Sequence, residues 1–142
     1  MLFKIAFSMS LLVMIAAGEE VSLFNAKGKA VAYIAVEDGF TIYLWSGKPV
    51  AYLERDTRSD FHVYGFNGKH LGWFVQGVIR DHDGDAACAV KERMRSTEFE
   101  PFKSFKEFKP FKAFKEFAPF RPMFSDSFGE VTCALFLAEG QE

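Results

Sequence analysis

Three stretches of the chain superimpose on a shared Gly-Lys: Leu23 to Ile34 (LFNAKGKAVAYI), Ile42 to Leu53 (IYLWSGKPVAYL) and Val63 to Phe74 (VYGFNGKHLGWF). The common pattern is aliphatic, aromatic, a turn ending in Gly-Lys, then aliphatic, small, aromatic, apolar. Each half is short enough for a strand, and the Gly stands where a hairpin needs positive φ, with Asn67-Gly68 the strongest turn signal. A degenerate fourth copy runs from Ile79 to Val90, with Gly84 as its turn and Cys88 at the small position held by Ala32, Ala51 and Gly72 in the others. A lone two-stranded hairpin is marginal in water, so the copies must bury their faces against one another. The expected fold is mainly β: four short β-hairpin repeats in a pseudo-four-fold arrangement over residues 21–90.

The runs VSLFNAKGKAVAYI, TIYLWSGKPVAYL, VYGFNGKHLGWF and DHDGD, in this order, resemble the bacterial proteins described as four-fold beta flower domains. The resemblance implies a four-hairpin β fold in a family whose biochemical role is uncharacterised, so no catalytic or ligand residue carries over. Ala86-Ala87-Cys88-Ala89 departs from the Val-Gly-aromatic ending of the pattern, which leaves the packing of the closing hairpin open.

A second repeat follows. Phe occupies positions 99, 102, 105, 108, 111, 114, 117 and 120, eight rings at a spacing of three, and Pro101, Pro110 and Pro119 add a period of nine. An α-helix would wind eight such Phe around every face, and the prolines would break it. A polyproline-II-like ribbon repeats every three residues and holds them on one edge. Short helical turns, each opened by a Pro, are the alternative. Eight exposed rings forfeit much transfer free energy, so the Phe edge of residues 99–122 is expected to pack in the grooves between hairpins, with Lys103, Lys106, Lys109, Lys112, Lys115 and Arg121 turned to solvent. Converting Phe108 and Phe111 together to Ser is then expected to lower stability sharply. Six cations against Glu100, Glu107 and Glu116 give this segment a charge of +3, leaving −5 for the rest of a chain of net −2.

Residues 1–18 (MLFKIAFSMSLLVMIAAG) carry one Lys, an uncharged stretch from Ile5 to Ala17 shorter than the ~20 residues that span a bilayer, and small residues at the end. That order reads as a signal peptide preceding a single domain over 19–142, and implies a secreted or bacterial envelope (periplasmic) location. Cys88 and Cys133 are an even pair. Export would allow a disulfide between them, but their alanine-rich surroundings favour two small buried side chains. Ser127-Phe128-Gly129-Glu130 matches a capping box, predicting a short terminal helix over 127–139.

Candidate sites are few. Asp81, Asp83, Asp85 and Glu92 fall at calcium-loop positions 1, 3, 5 and 12, yet Ala86 stands where such a loop requires Gly, so a solvated turn is preferred to a metal site. His62 and His70 have no nucleophile or carboxylate beside them, Trp45 and Trp73 read as core, and no phosphate loop, Gly-x-Ser-x-Gly or dinucleotide fingerprint is present. The composition excludes a strongly basic nucleic-acid binder, and no nucleic-acid partner or cofactor is expected. The functional expectation is a non-catalytic envelope or secreted module with a structural or interaction role. Alternatives are binding of an anionic surface, membrane or glycan, through the Lys/Phe segment, and a metal-dependent enzyme at the Asp81 to Asp85 turn.

Overall fold

The computed structural model describes residues 18–142, so the expected signal peptide lies, except for Gly18, outside the described residues. Eight antiparallel strands follow in order: β1 (Glu20–Phe24), β2 (Ala30–Ala35), β3 (Thr41–Leu44), β4 (Pro49–Arg55), β5 (Phe61–Gly65), β6 (His70–Val75), β7 (Val78–Arg80) and β8 (Ala86–Ala89). Each pairs with its sequence neighbour, and Phe24 against Ala89 joins β1 to β8 to close a barrel. Closure leaves no edge strand exposed.

The four hairpins are built alike. Asn25 N donates to Lys29 O and Gly28 N to Asn25 O, and the same two bonds recur at Leu44 to Lys48, Gly65 to Lys69 and Asp81 to Asp85. Gly28, Gly47, Gly68 and Gly84 have φ between +82° and +94°. Each hairpin also carries a register shift after the aliphatic residue of its first strand, at Leu23, Ile42, Val63 and Ile79. A tight turn followed by a left-handed Gly and a bulge is a standard short hairpin connection, and the bulge adds the twist that a small barrel needs. Because every hairpin is antiparallel and consecutive, all four Gly turns lie at one end of the barrel.

Leu23, Ile34, Ile42, Leu53, Val63 and Ile79 fill the interior together with the small residues Ala32, Ala51 and Cys88. The small positions leave room for α1 (Cys133–Ala138), whose Cys133, Phe136 and Leu137 join the same cluster. Asn67 anchors its far end, donating from its backbone N to Gly140 O and from Nδ2 to Glu139 O, so the helix sits at the turn end. Cys88 and Cys133 are bonded to each other. Two buried cysteines and a bridge are therefore not alternatives here: the strand places Cys88 inward, and the helix brings Cys133 to it.

The terminal helix is shorter than the capping box predicts. It starts at Cys133, with Thr132 Oγ1 accepting from Leu135 N. Ser127 and Gly129 serve the sheet instead: Ala86 N donates to Ser127 O and Gly129 N to Ala86 O, which adds a parallel bridge at Phe128. Backbone groups of Ala86 freed by the bulge claim that segment before it can coil.

Candidate functional site

Between the 3₁₀ turn at Lys91–Arg93 and α1 the chain has neither helix nor strand. It passes the four hairpin turns in order, as an extended ribbon whose amides donate outside itself: Glu98 N to Gly28 O, Glu107 N to Gly47 O, Glu116 N to Gly68 O and Ser125 N to Gly84 O. Those donors are nine residues apart. Ser104 N to Trp45 O and Ala113 N to Phe66 O repeat at the same interval. Pro101, Pro110 and Pro119 fall on the same edge, at intermediate positions. The period of nine in the ribbon is thus the four-fold period of the barrel, one block per hairpin.

The Lys edge also faces the barrel. Tyr33, Tyr43, Tyr52, Tyr64 and Trp73 line the outer surface of the strands, each nearly covered. Lys103 Nζ lies 4.8 Å from the Tyr33 ring and Lys112 Nζ, nine residues on, 4.1 Å from the equivalent Tyr52 ring. Lys106 over Tyr43 and Lys115 over Tyr64 repeat the relation at 5.6 and 5.4 Å. Beyond the rings wait carboxylates: Lys103 and Lys106 reach Glu20 at 2.8 and 2.6 Å, Lys109 reaches Asp38 at 2.7 Å, Lys115 pairs with Glu54, and Arg121 joins Asp56 and Asp60 at 2.9 and 3.1 Å. Burial would raise the carboxyls of Glu20 and Asp38, yet the ammonium groups hold both below their ordinary values. Burial and the nearby carboxylates push the Tyr33 phenol up to about 12, so it stays neutral beneath the lysines. Lysine stems on aromatic faces combine dispersion with cation–π attraction of roughly 0.5–2 kcal/mol each.

At the fourth hairpin the charges are exchanged. Arg80, at the position of Tyr43 and Tyr64, is buried and donates from Nη1 to Ser125 O at 2.7 Å, with Asp126 at 3.3 Å and the Phe124 ring 5.1 Å away. Here the barrel supplies the cation and the ribbon the acceptors.

With two of three edges turned inward, the third points out. The eight Phe side chains from Phe99 to Phe120 are 93–102% exposed, and Met123 continues the row at 92%. This inverts the expected orientation, in which Phe packed inward and Lys met solvent. The physical reason lies on the barrel: its outer grooves are already filled by its own Tyr and Trp rings, and a ring face over a carboxylate accepts a lysine better than another phenyl. Ribbon and core do attract, as their opposite charges imply, but through the lysines. Lys103, Lys106, Lys109, Lys115 and Arg121, expected as an interaction surface, are held in ion pairs within the chain. Trp45 is partly buried, donating from Nε1 to Pro101 O beneath Lys103.

Sequence reasoning missed the histidines as a group. His62 Nδ1 lies 3.0 Å from His70 Nε2, and His70 Nδ1 lies 3.0 Å from His82 Nε2. His62 Nε2 is 3.4 Å from Asp56 Oδ1. The three rings come from β5, β6 and the fourth turn, and strand register alone brings them into line. In the sequence His82 stands inside the acidic Asp81 to Asp85 turn, with no sign of the other two rings. Because each ring bonds a different neighbour, the nitrogens do not converge on one point and do not form a metal cage. His70 is buried, flanked by Tyr64 and Trp73, and pushed down to about 4 by burial and then by His62 and His82. The unfolded chain binds that proton at an ordinary histidine pKa and the folded chain does not. Stability is therefore expected to be complete above pH 6.5 and to fall by about 3 kcal/mol as pH drops from 6.5 to 4. Melting curves across that range check it: His70→Gln should flatten the dependence, and an unchanged slope in the variant would refute the assignment.

Asp81, Asp83 and Asp85 do gather, with one carboxylate oxygen from each within 4.8 Å of the others. Asp81 Oδ1, however, accepts from Asp83 N at 3.0 Å and Asp85 N at 2.9 Å, which is the capping of a tight turn.

A closed barrel of four bulged hairpins, belted by an extended ribbon in register with them, defines a four-fold β-repeat protein. The family model described as 4-fold beta flower protein matches residues 21–137, and the chain belongs to that family. No curated protein and no solved structure matches it.

Proposed function

We propose that this protein is a non-catalytic interaction module of the secreted space or the cell envelope, whose working surface is the Phe edge of its ribbon. The carrying observation is the 93–102% exposure of eight consecutive ribbon Phe. At ~150–250 Å² each they display roughly 1,200–2,000 Å² of apolar surface, against the ~300–600 Å² of the largest patch on a typical monomer. A patch of that size is kept for a partner. The titratable groups that the fold assembles serve the fold itself: His70 is buried, Asp81 caps amides and the lysines clamp the ribbon. The signal-like residues 1–18 and the Cys88–Cys133 bridge support export.

The test uses Phe102→Ser/Phe108→Ser/Phe114→Ser in one chain. The melting temperature should stay within a few degrees of the parent, while retention on a phenyl-derivatised column drops markedly. A large loss of stability would show that these rings pack within the molecule, and unchanged retention would show that they are not the adhesive surface; either overturns the reading.

A further inference from the structure

The Phe edge is periodic as well as apolar, and its period narrows the choice of partner. Hydrogen bonds at Ser104, Glu107, Ala113 and Glu116 pin the ribbon to successive hairpins, and the lysines between them are clamped to rings and carboxylates. The comb of rings is therefore held at the pitch of its backbone. Three extended residues advance ~9.3 Å, which leaves between neighbouring rings a gap that accepts one further ring. Interleaving a second comb of equal pitch would bring rings to ~4.7 Å, within the ~4.5–7 Å range at which aromatic pairs attract.

A lipid surface has no such pitch, and a second copy of the chain has it by construction. We infer that the Phe edge is a homotypic interface, in which the ribbons of two copies interdigitate about a two-fold axis. This rests on the proposed function and names its partner. The axis falls between Phe108 and Phe111, near the middle of the row from Phe99 to Phe120 and about a quarter of the ~9.3 Å ring spacing from one of the two, so the ribbons run antiparallel and each ring of one falls midway between two rings of the other. Because each ribbon bends around its own barrel, contact is greatest at the centre. Burying half of the rings covers roughly 600–1,000 Å² per copy, against the ~800 Å² per partner of a standard stable interface. Charge does not oppose the approach. The ribbon's net +3 is carried on the two edges turned away from the partner, with Lys103, Lys106, Lys109, Lys115 and Arg121 already paired to carboxylates of their own barrel.

Sedimentation velocity on the disulfide-bonded protein between 1 and ~100 µM, at low and high salt, tests this. A salt-insensitive dimer is expected, and Phe108→Ser/Phe111→Ser should raise its dissociation constant more than tenfold, with a smaller effect from Phe99→Ser/Phe120→Ser. A parent that stays monomeric throughout, or end substitutions that act as strongly as central ones, would overturn the two-fold comb. Pelleting with phosphatidylcholine vesicles separates the two levels of the argument. A monomer that pelleted through its Phe would overturn the homotypic partner and leave the adhesive edge standing. If the Phe substitutions changed neither association nor pelleting, both readings would fall.

Discussion

Gly47→Ala is expected to lift the ribbon from the second hairpin and to lower folding stability by about 3–4 kcal/mol. Gly47 has φ +94°, and a Cβ there would stand 1.9 Å from Phe105 O, a backbone atom that cannot swing aside. The left-handed conformation alone costs an alanine ~1–2 kcal/mol. Displacing the ribbon also removes the bonds from Glu107 N to Gly47 O and from Ser104 N to Trp45 O, each worth about 1 kcal/mol. Gly39→Ala is the control, since Gly39 also has positive φ, at +64°, but nothing lies within 4 Å of a Cβ there. Chemical denaturation should show the larger loss at Gly47, and limited trypsinolysis should show faster cleavage among the ribbon lysines. Equal losses at the two glycines would mean that the close passage of the ribbon contributes nothing. Gly68 and Gly84 stand in the same relation to Phe114 O and Met123 O, at 2.1 and 2.2 Å, so the effect should recur there.

Opening the Cys88–Cys133 bond should cost a comparable amount. The two residues are 45 apart in sequence, and in the chain-entropy account a closed loop of that length is worth about 4 kcal/mol. The bond is also the covalent tie between α1 and the barrel interior, where Phe136 and Leu137 are buried. Cys88→Ala/Cys133→Ala and reduction of the parent protein should produce similar drops in the denaturation midpoint. If the reduced protein and the double variant matched the oxidised parent within about 1 kcal/mol, the bridge would have no part in holding the helix in place.

The hairpins were legible because turn chemistry is local. A Gly with positive φ can be recognised from its neighbours, and four copies in a row left little choice of architecture. The extended ribbon was legible for a similar reason, since Pro every nine residues and Phe every three exclude a helix. The disulfide and the histidine line were not. Cys88 meets Cys133, and His70 meets His62 and His82, only after strands have been set in register, and nothing in the spacing of those residues encodes the meeting. The capping box at Ser127 failed because a bulged strand offered its backbone a better use. The ribbon orientation failed for a subtler reason: apolar residues are expected inside, but that expectation presumes an apolar surface to receive them.

By itself, then, the amino-acid order determined the hairpin units, their number, and a ribbon with three distinct edges repeating in blocks of nine. Only the tertiary structure decided which edge looks outward. That choice depends on what the barrel presents to the ribbon, and the barrel presents tyrosine faces ending in carboxylates and free turn carbonyls, one for every nine residues of ribbon. Lysines and amides satisfy those groups, and the phenylalanines are left on the outside by elimination.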